Sequence, residues 1–574
     1  MSIAKYILPS VLPLVCAAQE PGSPYPQDLF RNPLDIPISL AGNFGECRPG
    51  HFHSGLDIRT QGREDLPVYA AAEGYISRIK TDKGGFGHAI YITHPNGYTT
   101  LYAHLNKYIP FLQTYLRQQQ YERKRWDVDI SLKPSQFPVR KGQQIAWSGN
   151  TGSSSAPHLH FEIRNSETEH PLNPQLFGLR VEDDIAPTIR EVVFYGSNVY
   201  EGAPITVAMA KQGSRYKPTR AGNSRLRMNN DTLEVQEGLV GVGINVDDYM
   251  NGSENTITFY IARLFLDGEQ VSKVTMDDIG YDESRYVNAY TDHKTRQQTK
   301  RWVQCMFKVP GNKLTRIYKF SGSDGRIDLT DKATHELKIE ITDNNGNTST
   351  ATMYVSPCIR EEAPAADAEC TPFRVGKVNE YSGPGISFTI DERQLYDDIC
   401  LSVRSTPDAA ALSEKYRVHY PYIPLHHYFD LKVKPSKTIP FDLRSKVALM
   451  YTDGKDTDGK EAASVENGWY KASVRNFGTY WLALDTTAPV IRSVHKNGAD
   501  LSRLKQLTLT VKDDMTSVRS FSGTIDGEWV CFEQHGNSFF YEFDEHCTRG
   551  RHELVFKAED ENGNKATYKL DLSR

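Results

Sequence analysis

The feature that most narrows the fold of this chain is an internal repeat. Asp184-Ile185-Ala186-Pro187-Thr188-Ile189-Arg190 matches Thr486-Thr487-Ala488-Pro489-Val490-Ile491-Arg492. Further on, His335-Glu336-Leu337 with Asp343-Asn344-Asn345-Gly346-Asn347 matches His552-Glu553-Leu554 with Asp560-Glu561-Asn562-Gly563-Asn564, at one constant offset. Proline cannot sit inside a helix or a central strand, so each Ala-Pro marks the start of an extended segment. Asn-Gly supplies the left-handed backbone that a tight hairpin turn requires. Each unit therefore opens into a strand and closes with a strand, a turn and a last strand. That pattern predicts an all-β, multidomain chain.

The 574 residues suit about three to five domains at ~100–200 residues each. Residues 1–18 read as a signal peptide: Lys5 is the positive start, Tyr6–Val15 a short apolar run, and Cys16-Ala17-Ala18 a small-residue cleavage site. Acylation of Cys16 as a lipoprotein anchor is the rival reading, disfavoured by the bulk of Leu14 and Val15. Residues 19–179 are rich in Gly and His, beginning with a Pro-rich leader expected to run over the surface. Residues 180–357 read as a β-sandwich with an insertion, 358–484 as a further β-rich block, and 485–574 as a sandwich of ordinary length. The sandwich units resemble immunoglobulin-like domains.

A net charge of -5 gives no electrostatic case for nucleic acid, which demands a basic face, so no nucleic-acid partner is expected. No segment after the signal is long and apolar enough to span a bilayer, so the mature chain is expected to have no transmembrane segment. Eight cysteines show no CxxC spacing. Export permits disulfides, and Cys531 with Cys547, or Cys358 with Cys370, are candidate pairs.

Three pieces of sequence carry chemistry. The strict alternation His158-Leu159-His160-Phe161-Glu162-Ile163 predicts a strand with His158, His160 and Glu162 on one face and the apolar side chains in a core. The preceding Ser148-Gly149-Asn150-Thr151-Gly152 is a sharp turn. Earlier, His53-Ser54-Gly55-Leu56-Asp57 supplies a nitrogen and an oxygen donor, with Gly55 expected to let the backbone curve so that both face one ion. Between the two, Pro95-Asn96-Gly97 predicts a hairpin whose returning strand ends at His104. Two ligands from the first piece and one from the histidine strand leave the fourth position of a zinc ion for water, the pattern of a catalytic site.

These residues resemble the lysostaphin/LytM-type (M23) zinc endopeptidases, over roughly Asn43 to Phe177. HxxxD, the later His after Tyr-x, and HxH all occur in the family's order. By that resemblance His53, Asp57 and His160 are the zinc ligands, and His104 and His158 are the catalytic histidines, with one Zn2+ per site. The resemblance implies hydrolysis of peptide cross-links in peptidoglycan by metal-activated water, in the periplasm or cell envelope. The alternatives are a non-catalytic wall-binding or hydrolase-activating protein, and a surface scaffold whose sandwich domains bind an envelope protein or glycan. One departure is an insertion at about 106–138, where apolar residues from Pro110 to Trp126 predict a short amphipathic helix that walls or gates the cleft. Single histidines such as His51, His88, His94, His170, His426 and His427 read as structural or merely exposed, and Glu162 as supporting rather than ligating. Asp343 and Asp560 suggest calcium, but turn chemistry accounts for them better.

Overall fold

The computed structural model of the chain describes residues 25–200, 202–219, 228–229, 232–359, 370–455 and 459–574. Residues 1–18, read above as a signal peptide, and with them Cys16, lie outside the described residues. The chain is 47% strand and 8% helix in multiple sheets, an all-β multidomain protein. Among the described residues no helix is long and apolar enough to cross a membrane.

The N-terminal portion is built on a nine-stranded sheet. Its central run is Leu40–Gly42, Leu56–Arg59, His158–Asn165, Tyr98–Ala103, Ala89–Thr93 and Gly74–Lys80, in that order. The expected hairpin is present, Ala89–Thr93 pairing antiparallel with Tyr98–Ala103 around Gly97 at φ 86°. A smaller sheet orders Pro67–Tyr69, Gln144–Ser148 and Leu105–Tyr108. Leu159, Phe161 and Ile163 are fully buried in the core, as the alternation requires. The Pro-rich leader is not a surface strap: Phe30 and Leu34 enter the same core, and Tyr25 stacks on Phe177. The apolar residues spaced along the leader, more than its prolines, decide where it lies.

The predicted helix spans Pro110–Arg123, with proline in its first turn, where no backbone N–H is needed. Its inner face buries Leu112 and Leu116 in the core, so it is a fixed part of the portion and not a free lid. Its outer face meets the last unit of the chain. There Arg117 pairs with Glu533, and the Tyr121 ring stacks on His546 with centroids 3.9 Å apart.

The portion that follows, from Thr188 to Cys358, forms a continuous path of strands around its own core. The seam between these two portions is interlocked. Phe44, Cys47 and Phe52 are buried in the second core, while Met250 and Ile257 are buried in the first. Residues 371–485 hold two five-stranded sheets, and 490–573 hold a four- and a five-stranded sheet around a compact core. The cysteine pairing differs from expectation. Cys370 is bonded to Cys400 rather than to Cys358, because the strand Thr371–Phe373 pairs with Ile399–Leu401. Cys531 and Cys547 are separate buried thiols.

Candidate active site

Strand register assembles the centre. In the sheet, His160 lies opposite Asp57 on one side and Ala103 on the other. Asp57, His160 and the residue before His104 therefore stand abreast across three strands. His53 Nε2 and His160 Nδ1 each approach Asp57 Oδ1, at 3.0 and 2.8 Å, and lie 3.1 Å from one another. All three side chains are buried. Gly55 serves a different purpose from the one its spacing suggests. A Cβ there would fall 2.3 Å from the Phe161 carbonyl oxygen, so the glycine permits close approach to the histidine strand, not curvature.

Each imidazole is fixed through its other nitrogen. His53 Nδ1 donates to the Asn43 carbonyl at 2.8 Å, leaving Nε2 with its lone pair. His160 Nε2 donates to Glu162 Oε1 at 2.8 Å, leaving Nδ1 toward Asp57. This is the tautomer control that metal-ligating histidines require. Glu162 is fully buried and held by Arg164 Nε at 2.6 Å, Ser54 Oγ at 2.6 Å and Tyr281 Oη at 2.7 Å. Tyr281 comes from the second portion of the chain, so the seam between portions reaches the site. Arg48, on the hairpin Cys47–Arg48/His51–Phe52, donates to Asp57 Oδ2 at 2.6 Å.

The electrostatics favour a cation at the centre. Burial opposes the charge on Asp57, but the imidazoles of His53, His158 and His160 packed around it hold its carboxyl well below the usual range. Burial alone would lower His160, yet the Asp57 and Glu162 carboxylates outweigh it and lift the imidazole to about 9. Burial lowers His53 to about 4. Burial likewise opposes Glu162, but Arg164 and His160 bring it down to about 2. The proton that titrates on His160 Nδ1 thus stands where a metal ion would otherwise meet Asp57.

His104 sits at φ 58°, a left-handed conformation rare for a residue with a side chain. It marks the point where the chain leaves the large sheet at Ala103 and enters the small one at Leu105. Its Nδ1 donates to the Thr151 carbonyl at 2.8 Å, and its ring lies 4.6 Å from that of His158. His158 Nδ1 donates to the Ala156 carbonyl at 2.8 Å, and its Nε2 stands 3.4 Å from Asp57 Oδ1. His104 thus keeps Nε2 as the nitrogen with a free lone pair, and Nε2 of His158 faces the Asp57 carboxylate. Burial, with His160 and His158 nearby, lowers His104 to about 3. The turn before the strand is tied down as well: Thr151 Oγ1 donates to the Leu105 carbonyl and accepts from His88 N.

The histidines read as structural have such partners. His94 bridges the Glu73 carbonyl and Thr100 Oγ1, His88 faces Glu533, and His426 accepts from Tyr396 Oη. Sequence reasoning missed Asn43, Arg48 and Tyr281, because none belongs to a motif and each reaches the centre from another segment. For Asn43 and Arg48 the only signal was nearness to His53. For Tyr281, 228 residues from His53, there was none.

Residues 51–118 and 128–174 match the description Peptidase family M23, and residues 371–485 match a Zu5-like domain. The chain is 33% identical over 135 residues to an uncharacterized metalloprotease of Haemophilus influenzae, covering 23% of this chain and 22% of that protein. It is 35% identical over 122 residues to the DD-carboxypeptidase/endopeptidase Mpg of Neisseria meningitidis, covering 21% and 22%. It is 32% identical over 122 residues to the murein hydrolase activator NlpD of Salmonella dublin, covering 21% and 25%. The chain thus spans about a fifth to a quarter of the length of these relatives. The N-terminal portion, with its His53, Asp57 and His160 cluster, is thus the part of the chain that matches Peptidase family M23.

Proposed function

We propose that the chain is an exported zinc-dependent endopeptidase that hydrolyses peptide cross-links of bacterial peptidoglycan. The observation that carries this reading is the convergence of His53 Nε2, Asp57 Oδ1 and His160 Nδ1, with the rings of His104 and His158 beside them. One oxygen and two nitrogen donors from the protein suit zinc and leave a position for water. A bound zinc would polarise the scissile carbonyl and acidify its water.

The chain's own residues do the rest. Glu162 and Asn43 hold the two ligand imidazoles in the required tautomer. Arg48 neutralises the Asp57 oxygen that faces away from the cluster. His104, kept neutral by burial, and His158 are the groups beside the centre to take a proton from the attacking water and, once protonated, to hydrogen-bond the oxyanion. The endopeptidase reading rests on the likeness to Mpg, the wall substrate on the likeness to the murein hydrolase activator NlpD, and the envelope location on the signal-peptide reading. An envelope protein or glycan remains the proposed occupant of the surfaces of residues 180–574.

The test is a zymogram of the purified mature chain on intact sacculi, with mass spectrometry of the released muropeptides. We expect cleaved cross-links, abolished by 1,10-phenanthroline and restored by Zn2+. Inactivity of pure, zinc-loaded protein that nonetheless stimulates a separate wall hydrolase would replace this reading with the activator alternative.

A further inference from the structure

We propose that Asp183, Asp248 and Asp343 form a calcium site at the seam between the peptidase portion and the β-rich portion that follows it. One carboxylate oxygen from each lies within 4.8 Å of the other two. The three come from different places: the connection just before the strand Thr188–Tyr195, the end of the strand Leu239–Asp247, and the Asp-Asn-Asn-Gly-Asn turn.

The decisive residue is Asp248. It is 1% exposed, its Oδ1 accepts from Tyr249 N at 3.0 Å, and its Oδ2 is buried with no hydrogen-bond partner. Turn chemistry explains Asp343, whose Oδ1 accepts from Asn345 N and Asn347 N and whose Oδ2 accepts from Asn347 Nδ2. It does not explain a second buried carboxylate aimed at Asp343 with an oxygen to spare. Among the described residues, the charged groups that act on Asp183 and Asp248 are other aspartates, with no Lys, Arg or His. Burial, followed by repulsion from Asp343 and Asp183, pushes Asp248 up to about 8. Buried carboxylates without a counter-charge need protons or a cation.

The donors on all three side chains are oxygens, which select a hard cation over zinc. Calcium tolerates irregular sets of six to eight oxygens and completes them with water or carbonyls, whereas magnesium demands a near-ideal octahedron. Asp183 is half-buried and leaves a way in.

The repeat supplies an internal counterpart. Thr188 pairs with Asp247 as Val490 pairs with Lys512, so Asp485 and Asp513 occupy the places of Asp183 and Asp248, and Asp560 that of Asp343. The later unit shares the orphan oxygen, since Asp513 Oδ1 is buried without a partner, and Asp485, Asp513 and Asp514 stand together there. It differs at Asp485, which Thr516 Oγ1 and Asn564 Nδ2 already serve, at 2.8 and 3.3 Å.

A cation here would also brace the active site. The chain leaving Asp248 buries Met250 in the peptidase core and carries Thr258, which exchanges two hydrogen bonds with Asn43. Asn43 is the residue whose carbonyl orients His53.

The experiment uses the full mature chain, stripped of metal and reloaded with one equivalent of Zn2+. Calcium chloride is titrated by calorimetry, and melting is followed with calcium or magnesium at equal concentration. We expect saturable calcium binding and a rise in melting temperature of several degrees. Asp248→Asn and Asp183→Asn should each weaken that binding at least tenfold and remove the shift. Asp183 lies in a half-buried connection, so its variant decides the matter even if Asp248→Asn does not fold. Absence of calcium binding by the wild-type chain, its persistence in a folded variant, or an equal response to magnesium would overturn the assignment.

Discussion

Two clusters of buried acids sit on either side of one seam, and their surroundings differ. Around Asp57 and Glu162 stand His53, His160, Arg48 and Arg164, so carboxylate charge is met by nitrogen donors within hydrogen-bonding distance. Around Asp248 and Asp343 stand backbone amides and Asn347, with an oxygen left over. The first cluster mixes nitrogen and oxygen donors, with two further histidine nitrogens close by. That suits an ion whose remaining position does chemistry. The second is all oxygen and tied into a turn, which suits an ion that only holds strands together. What separates them is the company each carboxylate keeps, since the acid count is similar.

The contrast is tested most severely at His160. His160→Ala should lower cross-link hydrolysis by roughly 10³-fold or more, the scale of losing a main stabiliser of the developing oxyanion, while calcium still raises the melting temperature. If turnover survives, the first cluster is not the catalytic one. His104→Ala comes next, with a loss of ~10²-fold or more in kcat for a positioned acid–base group. The ordinary imidazole value is 6.5, and burial has moved His104 down to about 3. It therefore takes up no proton as pH falls from 8 to 5, and the acid limb of kcat/KM belongs to another group. The midpoint of that limb, measured on the His104→Ala residual activity, should not move. Glu162→Gln follows, with a loss of about 10–100-fold in zinc affinity, the usual effect of removing the partner of a ligating histidine. A competition titration with a zinc-binding dye measures it.

Much of the first cluster was legible before any coordinates. Alternation placed His158, His160 and Glu162 on one face because strand side chains repeat every two residues. The hairpin around Gly97 put His104 at the end of a returning strand. Local rules of this kind say nothing about which strand lies alongside which, so the register setting Asp57 opposite His160 had to be seen. Gly55 was read as a bend when it is a gap for the Phe161 carbonyl, since composition cannot distinguish the two uses of a missing Cβ. Tyr281 acts across the interlocked seam, and nothing in its own neighbourhood marks it. Asp343 was rightly seen as a turn residue. Its partner Asp248 is 95 residues away in sequence, and its significance lies only in what it fails to touch.

Tyr281 extends the comparison across the seam, because it is the residue of the second portion that hydrogen-bonds Glu162. Tyr281→Phe removes one of several donors to Glu162 and should reduce turnover about three- to tenfold, the worth of one hydrogen bond. If calcium at the other cluster braces the same seam, Asp183→Asn should act on turnover more weakly still. Its influence must pass through the Asp248–Thr258 segment and Asn43 before it reaches His53. A fall in kcat of no more than about threefold, for a coupling below ~1 kcal/mol, should accompany loss of the whole calcium-dependent melting shift. Paired measurements on one preparation, turnover on sacculi and melting with calcium, check this. A fall as large as that of Glu162→Gln would mean that the two clusters work as one unit, and the division between a chemical ion and a structural one would have to be abandoned.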